Sequence, residues 1–411
     1  MSLKEAALNY HIGGKIDIAP SKPMNSAYDL ALAYSPGVAE PCLAIAKNNE
    51  LSFTYTNRAN LVAVVSDGSA VLGLGDIGAR ASKPVMEGKA CLFKKFANVN
   101  AYDIEVDAHS VEEIVAFCKA LVPTVGGINL EDIAAPKCFE IEAALQNIGI
   151  PVMHDDQHGT AIISSAGLIN AMDISGKKIK DIKVVISGAG AAGIACARMY
   201  RNLGVEHIVL LDSRGVVSTE RTDLNKYKEE FAIKTKDKTL KDAMRGADMF
   251  LGLSKPKILT DDMVKNMSAH PIIFALANPV PEIMPEDVKR LRKDAIVGTG
   301  RSDYPNQINN ILGFPFIFRG ALDVRANKIT ENMKIAAANA LAKLAKEPAS
   351  DELKQMYAGE VLEFGVDYVI PKPFDKRVKA AVSTAIATAA VKDGVAKLKS
   401  FDEKAYFESL S

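Results

Sequence analysis

Apolar positions in this chain fall in short runs separated by helical patterns. Residues 61–76, LVAVVSDGSAVLGLGD, hold two β-rich runs around Asp-Gly-Ser and read as a hairpin. A helical pattern follows over about 83–97, then the strand-like AYDIEVD at 101–107. The 110–122 stretch has helical spacing, and Ser110 with Glu113 matches a capping box. GGINL at 126–130 and IPVMHDD at 150–156 read as strands, with a glycine-stopped helix between them. An apolar helix over about 160–177 closes on glycine. Strand, glycine turn and helix then follow in order from 181 to 204, and further strands are predicted at 206–212, 247–254, 271–277 and 295–300. Beyond 301 the text is largely helical, with alanine-rich stretches at 331–346 and 378–400.

This alternation predicts an α/β protein. Residues 1–160 form an N-terminal α/β domain, 161–300 a doubly wound Rossmann-like dinucleotide-binding domain, and 301–411 a C-terminal helical segment packing back on the first domain. The length of 411 residues suits two domains.

Composition narrows the function classes. Lysine plus arginine equals aspartate plus glutamate at 50 each, which argues against a broad nucleic-acid surface. No apolar run approaches the roughly 18–20 residues of a membrane span, and the first residues show no secretory h-region. Five scattered cysteines without a C-x-x-C pair fit a reducing cytoplasm.

Candidate chemistry lies at two places. Glu131 and Asp132 follow one predicted strand, and Asp155 and Asp156 follow the next. In parallel sheets ligands sit beyond the carboxyl ends of strands. Clustered carboxylates suit a hard cation, Mg²⁺ or Mn²⁺. His154 and His158 have the i,i+4 spacing of part of a zincin motif, but the glutamate base is absent and the helix would have to start on a strand end. The second place is GAGAAG at 188–193. Gly188 permits the turn, Gly190 lets backbone approach pyrophosphate, Gly193 allows close helix–strand packing, and the helix N-terminus with Ala191 and Ala192 offers N–H groups to phosphate. Asp212 would accept the ribose hydroxyls of NAD, whereas Arg214, beyond Ser213, would clamp the 2′-phosphate of NADP. The two cues conflict, so either coenzyme is open.

With these motifs in place, the chain resembles the malic enzymes of the short bacterial type. The resemblance is carried by AYSPGVAEPC at 33–42, SDGSAVLGLGDIGARASKPVMEGKACLFKKFA at 66–97, LED and HDDQHGTA, FALANPVPEI at 274–283 and VGTGRSDYPNQINN at 297–310. It implies conversion of malate to pyruvate and CO₂ with NAD or NADP and Mg²⁺ or Mn²⁺. It also implies that Tyr34 and Lys89 are catalytic, that Glu131, Asp132 and Asp156 ligate the metal, and that Asp155 positions the lysine. Asn278 and Asn310 would contact substrate, with Asn278 also beside the coenzyme. Larger relatives carry an arginine before LGLGD that grips a malate carboxylate; Ala70 stands in that place, and Arg80 is a substitute. The phosphotransacetylase-like extension of some bacterial relatives is expected to be missing, and a homodimer is expected.

A cation among these acids would serve as Lewis acid and template for the hydroxy acid. Lys89 would take the hydroxyl proton, which calls for a pKa pulled down by burial or nearby positive charge. Hydride would pass to nicotinamide, CO₂ would leave, and Tyr34 would protonate C3 of enolpyruvate. Two rival readings are a metal-assisted hydroxy-acid dehydrogenase without decarboxylation and a non-catalytic dinucleotide sensor.

Overall fold

The computed structural model describes residues 2–71, 73–398 and 401–411. Leu72 of the LGLGD stretch and Lys399 and Ser400 of the expected tail segment lie outside the described residues.

Two parallel sheets organise the chain. The first contains β1 (Leu61–Ser66), β2 (Asn100–Glu105), β3 (Gly127–Leu130) and β4 (Val152–His154), in the order β2-β1-β3-β4. All its pairings are parallel, with Val65 facing Ile104 on one side and Leu130 on the other. The expected hairpin at 61–76 is therefore not formed. Every residue of β1 is buried, so its continuous apolar run belongs to the sheet interior, where parallel strands sit. The second run instead makes a tight loop closed by a Val71–Gly75 bridge. Asp67, just past β1, pairs with Lys137 and caps the backbone of Ser69. Helices Ala79–Ala97 and Val111–Leu121 cross between these strands, the second with the Ser110–Glu113 capping box intact.

The second sheet contains β5 (Lys183–Ser187), β6 (His207–Asp212), β7 (Gly215–Val216), β8 (Met249–Gly252), β9 (Ile272–Ala275) and β10 (Ile296–Thr299). Its order is β10-β9-β8-β5-β6-β7, parallel except for the short β7 edge. This is the expected doubly wound arrangement, whose switch point lies between β5 and β8. Between the two sheets runs the largely buried helix Asp155–Ser175, ending at Gly176 in the left-handed region.

The tail packs back as expected, in layers. Helix Phe314–Asp323 meets the first domain directly: Phe93 sits edge-on to Phe314 and Phe318, with ring centroids 4.8 and 5.5 Å away. The alanine-rich helices Glu331–Leu344 and Arg377–Lys392 form the next layer, against Asp155–Ser175 and Phe314–Asp323 respectively. No helix among the described residues is long and apolar enough to cross a membrane.

Candidate active site

Register brings the acids together. Leu130 and His154 are paired across β3 and β4, so Glu131-Asp132 and Asp155-Asp156 leave the sheet side by side. The strand spacing of about 4.8 Å then places the two acidic pairs within reach of one cation. One oxygen each from Glu131, Asp132 and Asp156 lies within 4.8 Å of the others. Glu131 and Asp132 are buried and Asp156 is half-buried. Asp132 has a positive φ of 52°, and its N–H donates to Asp156 Oδ2 at 2.7 Å, which ties the loop after β3 to the first turn of helix Asp155–Ser175. Its carbonyl accepts the N–H of Ala70, tying in the loop after β1. An all-oxygen donor set of three carboxylates, two of them buried, fits Mg²⁺ or Mn²⁺.

Lys89 projects into this cluster from helix Ala79–Ala97. Its Nζ lies 2.7 Å from Asp155 Oδ2 and 2.8 Å from Glu131 Oε1, and 4.1 Å from the ring centroid of Phe314. Burial alone would pull its ammonium down, but the charges of Asp155 and Glu131 more than offset this and hold it well above the usual lysine range. The expected downward shift is thus reversed here, because the lysine's neighbours are anions. Burial pushes the Glu131 and Asp155 carboxyls up, against the opposing pull of Lys89. Asn129 steadies the other Glu131 oxygen at 2.8 Å. Asn310, from the tail, donates to Asp155 Oδ2 at 3.2 Å and accepts from Thr160 at 3.1 Å.

Helix Asp155–Ser175 does begin directly on the end of β4, so the geometric objection raised to a histidine-based site fails. His158 nonetheless turns elsewhere, while the His154 ring stays 3.5 Å from Asp156 Oδ2. His154 is fully buried, and His158 Nε2 pairs with Glu142 at 2.9 Å.

Tyr34 and Arg80 are not drawn in. Tyr34 is 71% exposed and shares no hydrogen bond, ion pair or ring contact with the cluster among the described residues. Arg80 is exposed in the first turn of the helix that carries Lys89.

The glycine fingerprint lies where the second sheet changes direction. A Cβ on Gly188 would meet Leu253 O at 2.5 Å, and one on Gly193 would meet Gly188 O at 1.7 Å. Gly190 faces open space as N-cap of helix Ala191–Asn202. A cleft of about 870 Å³ opens here, lined by Gly188, Gly190, Asp212, Ser213, Arg214 and several lysines. Asp212 is not available in the way the sequence implied. Arg221 grips it with bonds of 2.8 and 2.9 Å, and Lys228 adds one of 2.7 Å. Despite burial, these partners hold its pKa down at about 2. Arg214 pairs with Asp223 at 2.8 Å and remains largely exposed. Asn278 follows β9 at the cleft between the domains; its carbonyl would lie 2.8 Å from a Cβ on Gly73 of the LGLGD loop. Glu282 accepts N–H bonds from Ser254 and Ala277 at 3.0 and 3.1 Å, pinning the loops after β8 and β9.

Sequence reasoning missed Arg221, Lys228, Glu282 and Phe314. Charge nine residues beyond Asp212 carried a weak signal for Arg221; the other three carried none without the fold.

An acid cluster at the strand ends of one parallel sheet and a dinucleotide-type cleft on a second, doubly wound sheet are the architecture of a coenzyme-binding α/β protein. The chain belongs to the malic enzyme family: residues 13–146 match the model of the malic enzyme N-terminal domain and 157–358 that of the malic enzyme NAD binding domain. It is 54% identical to an NADP-dependent malic enzyme of Rhizobium meliloti over 99% of this chain and 54% of that protein. It is 53% identical to an NADP-dependent malic enzyme of Halomonas elongata, over 96% of this chain and 95% of that one. The chain therefore spans about half the length of some relatives and nearly all of others. A crystal structure of malic enzyme from Pyrococcus horikoshii superposes with a TM-score of 0.90 at 42% identity, covering 100% of this chain and 95% of that one.

Proposed function

We propose that this chain oxidatively decarboxylates (S)-malate to pyruvate and CO₂ with reduction of a nicotinamide coenzyme, dependent on Mg²⁺ or Mn²⁺. The observation that carries this reading is the three-carboxylate group with Lys89 2.8 Å from one of its members, Glu131. In this reading residues 1–160 form the acid-bearing unit, 161–300 the coenzyme unit, and 301–411 the helical segment that supplies Asn310.

Glu131, Asp132 and Asp156 would hold the cation. When bound, it supplies Lewis-acid polarisation of the hydroxy acid and stabilises developing enolate charge. The cation would also neutralise Glu131 and so release Lys89 from part of the field that now keeps it protonated. Once its ammonium proton has passed to solvent, which reaches the 12% exposed side chain, the neutral Lys89 amine, held in place by Asp155, would accept the C2 hydroxyl proton. Asn310, bonded to Asp155, and Asn278 would contact substrate. The Gly188–Gly193 turn, with Ala191 and Ala192, would bind the pyrophosphate, and Asp212, Ser213 and Arg214 would surround the adenosine ribose.

We assign NADP⁺ as the preferred coenzyme. Asp212 spends its charge on Arg221 and Lys228, so it opposes a 2′-phosphate little, while Arg214, Lys241 and Lys255 line the same cleft.

We also assign a homodimer in which Tyr34 serves the partner's cleft, protonating C3 of enolpyruvate there. The first 55 residues expose Leu3, Tyr10, Tyr28, Leu30, Tyr34 and Leu43, an apolar array of the kind an interface covers. The chemistry of the site and its soluble substrate suit the cytoplasm.

The test is malate-dependent reduction of NAD⁺ and NADP⁺, with and without Mn²⁺, tracking pyruvate and CO₂. Metal-dependent formation of both products is expected. Reduced coenzyme with oxaloacetate and no CO₂ would instead identify a plain dehydrogenase.

A further inference from the structure

Beside the acid cluster lies a second group of charges that the proposed reaction does not use. Glu142, on helix Lys137–Leu145, has a buried carboxylate. Its Oε1 accepts the backbone N–H of His154 at 3.0 Å, and its Oε2 meets His158 Nε2 at 2.9 Å. His154 is the residue just before Asp155, and His158 lies two residues beyond Asp156. One carboxylate therefore grips the chain on both sides of the Asp155-Asp156 pair. From the tail, Lys334 Nζ approaches the same His158 nitrogen at 3.3 Å and pairs with Glu331 at 2.7 Å. The Lys334 side chain is only 8% exposed.

A buried carboxylate without partners is costly to keep ionised, so this arrangement holds only while its hydrogen bonds are made. Its location explains what it can do. Residues that orient ligands from behind fix their geometry and raise affinity for the ion, although they never touch it. Here the grip is on main chain at the end of β4 and on the first turn of the helix that carries both acids. The His154 ring, packed in the same pocket, lies 3.5 Å from Asp156 Oδ2, so a shift of the turn moves a ligand oxygen directly.

We propose that Glu142 is a positioning residue that sets the aim of Asp156 and Asp155, and thereby the affinity for the divalent cation. The inference rests on the cation reading given above. Lys334, on a tail helix, contributes a positive charge that favours the ionised Glu142 carboxylate, so the tail also supports the grip.

The experiment measures Mn²⁺ binding to the intact protein by electron paramagnetic resonance, without substrate, alongside thermal melting of the metal-free protein and steady-state kinetics. Glu142→Gln keeps the shape and one acceptor; Glu142→Ala removes both. The expected result is Mn²⁺ binding weakened about tenfold or more in Glu142→Ala and less in Glu142→Gln. Malate KM should rise at low Mn²⁺ and recover at saturating Mn²⁺. Asn170→Ala serves as a control, because it removes buried bonds to Ala342 and Val369 far from the acids. It should lower the melting temperature without changing Mn²⁺ affinity. Glu142 variants that melt early yet bind Mn²⁺ within about twofold of wild type would overturn the proposal and leave Glu142 a purely structural group. Wild-type protein that binds no Mn²⁺ would overturn the cation reading itself, and this inference with it.

Discussion

At the scale of single residues, charge placement decides the chemistry. Lys89 is held protonated by two carboxylates, so the base role proposed for it requires a cation to share those charges. Lys89→Ala is expected to lower malate oxidation by about 10²–10⁴-fold. Lys89→Arg should not restore it, because guanidinium does not give up its proton near neutral pH. Mn²⁺ binding should survive both changes, and turnover by Lys89→Arg above a tenth of wild type would remove the lysine from the base role. Asp212 gives a second test. Its folded pKa of about 2 lies below the ordinary carboxylate value. The stabilisation from Arg221 and Lys228 is thus fully present above about pH 4 and is lost as pH falls from there towards 2. For coenzyme-free protein, the melting-temperature gap between wild type and Asp212→Asn should be constant from pH 7 to 5 and shrink below 4. A gap unchanged at pH 3 would contradict the clamp.

At the scale of elements, the tail helices complete the site through close packing. Gly320 of helix Phe314–Asp323 approaches helix Arg377–Lys392 so closely that a Cβ would lie 2.3 Å from Ser383 O. Gly320→Ala must push the helices apart, at a cost of about 1–3 kcal/mol, and should lower the melting temperature. The same helix carries Phe314 against Lys89, so a rise in malate KM should accompany the loss; an unchanged melting temperature would show that the crossing yields easily. Legibility also divides at this scale. The capping box at Ser110–Glu113 was readable because both partners lie within four residues. The hairpin at 61–76 was misread because its turn residues look the same in a hairpin and in a loop leaving a buried parallel strand. Only the seating of β1 between two parallel partners separates the two, and β2 and β3 supply it through residues 39 or more positions away.

At the scale of the whole molecule, Lys89 is enclosed while Tyr34 is exposed. If the tyrosine serves the partner's cleft, mixing inactive Tyr34→Phe and Lys89→Ala chains should restore activity. Each mixed dimer would hold one intact site, giving about a quarter of wild-type activity after random exchange. No recovery, with exchange verified by size and mass, would place both residues in one chain's site.

The linear sequence determined the chemistry available and the local elements. GAGAAG after an apolar strand, paired acids at strand ends and helix caps are short-range patterns, and short-range sterics and hydrogen bonding act on them directly. Tertiary structure decided which charges meet. Register across β3 and β4 placed Glu131 and Asp132 beside Asp156. Packing of segments more than 40 residues apart set Lys89 between Asp155 and Glu131, and the fold of the β6–β7 edge gave Asp212 to Arg221 and Lys228. Electrostatic energy depends on distance through space and on burial, and neither is encoded in spacing along the chain.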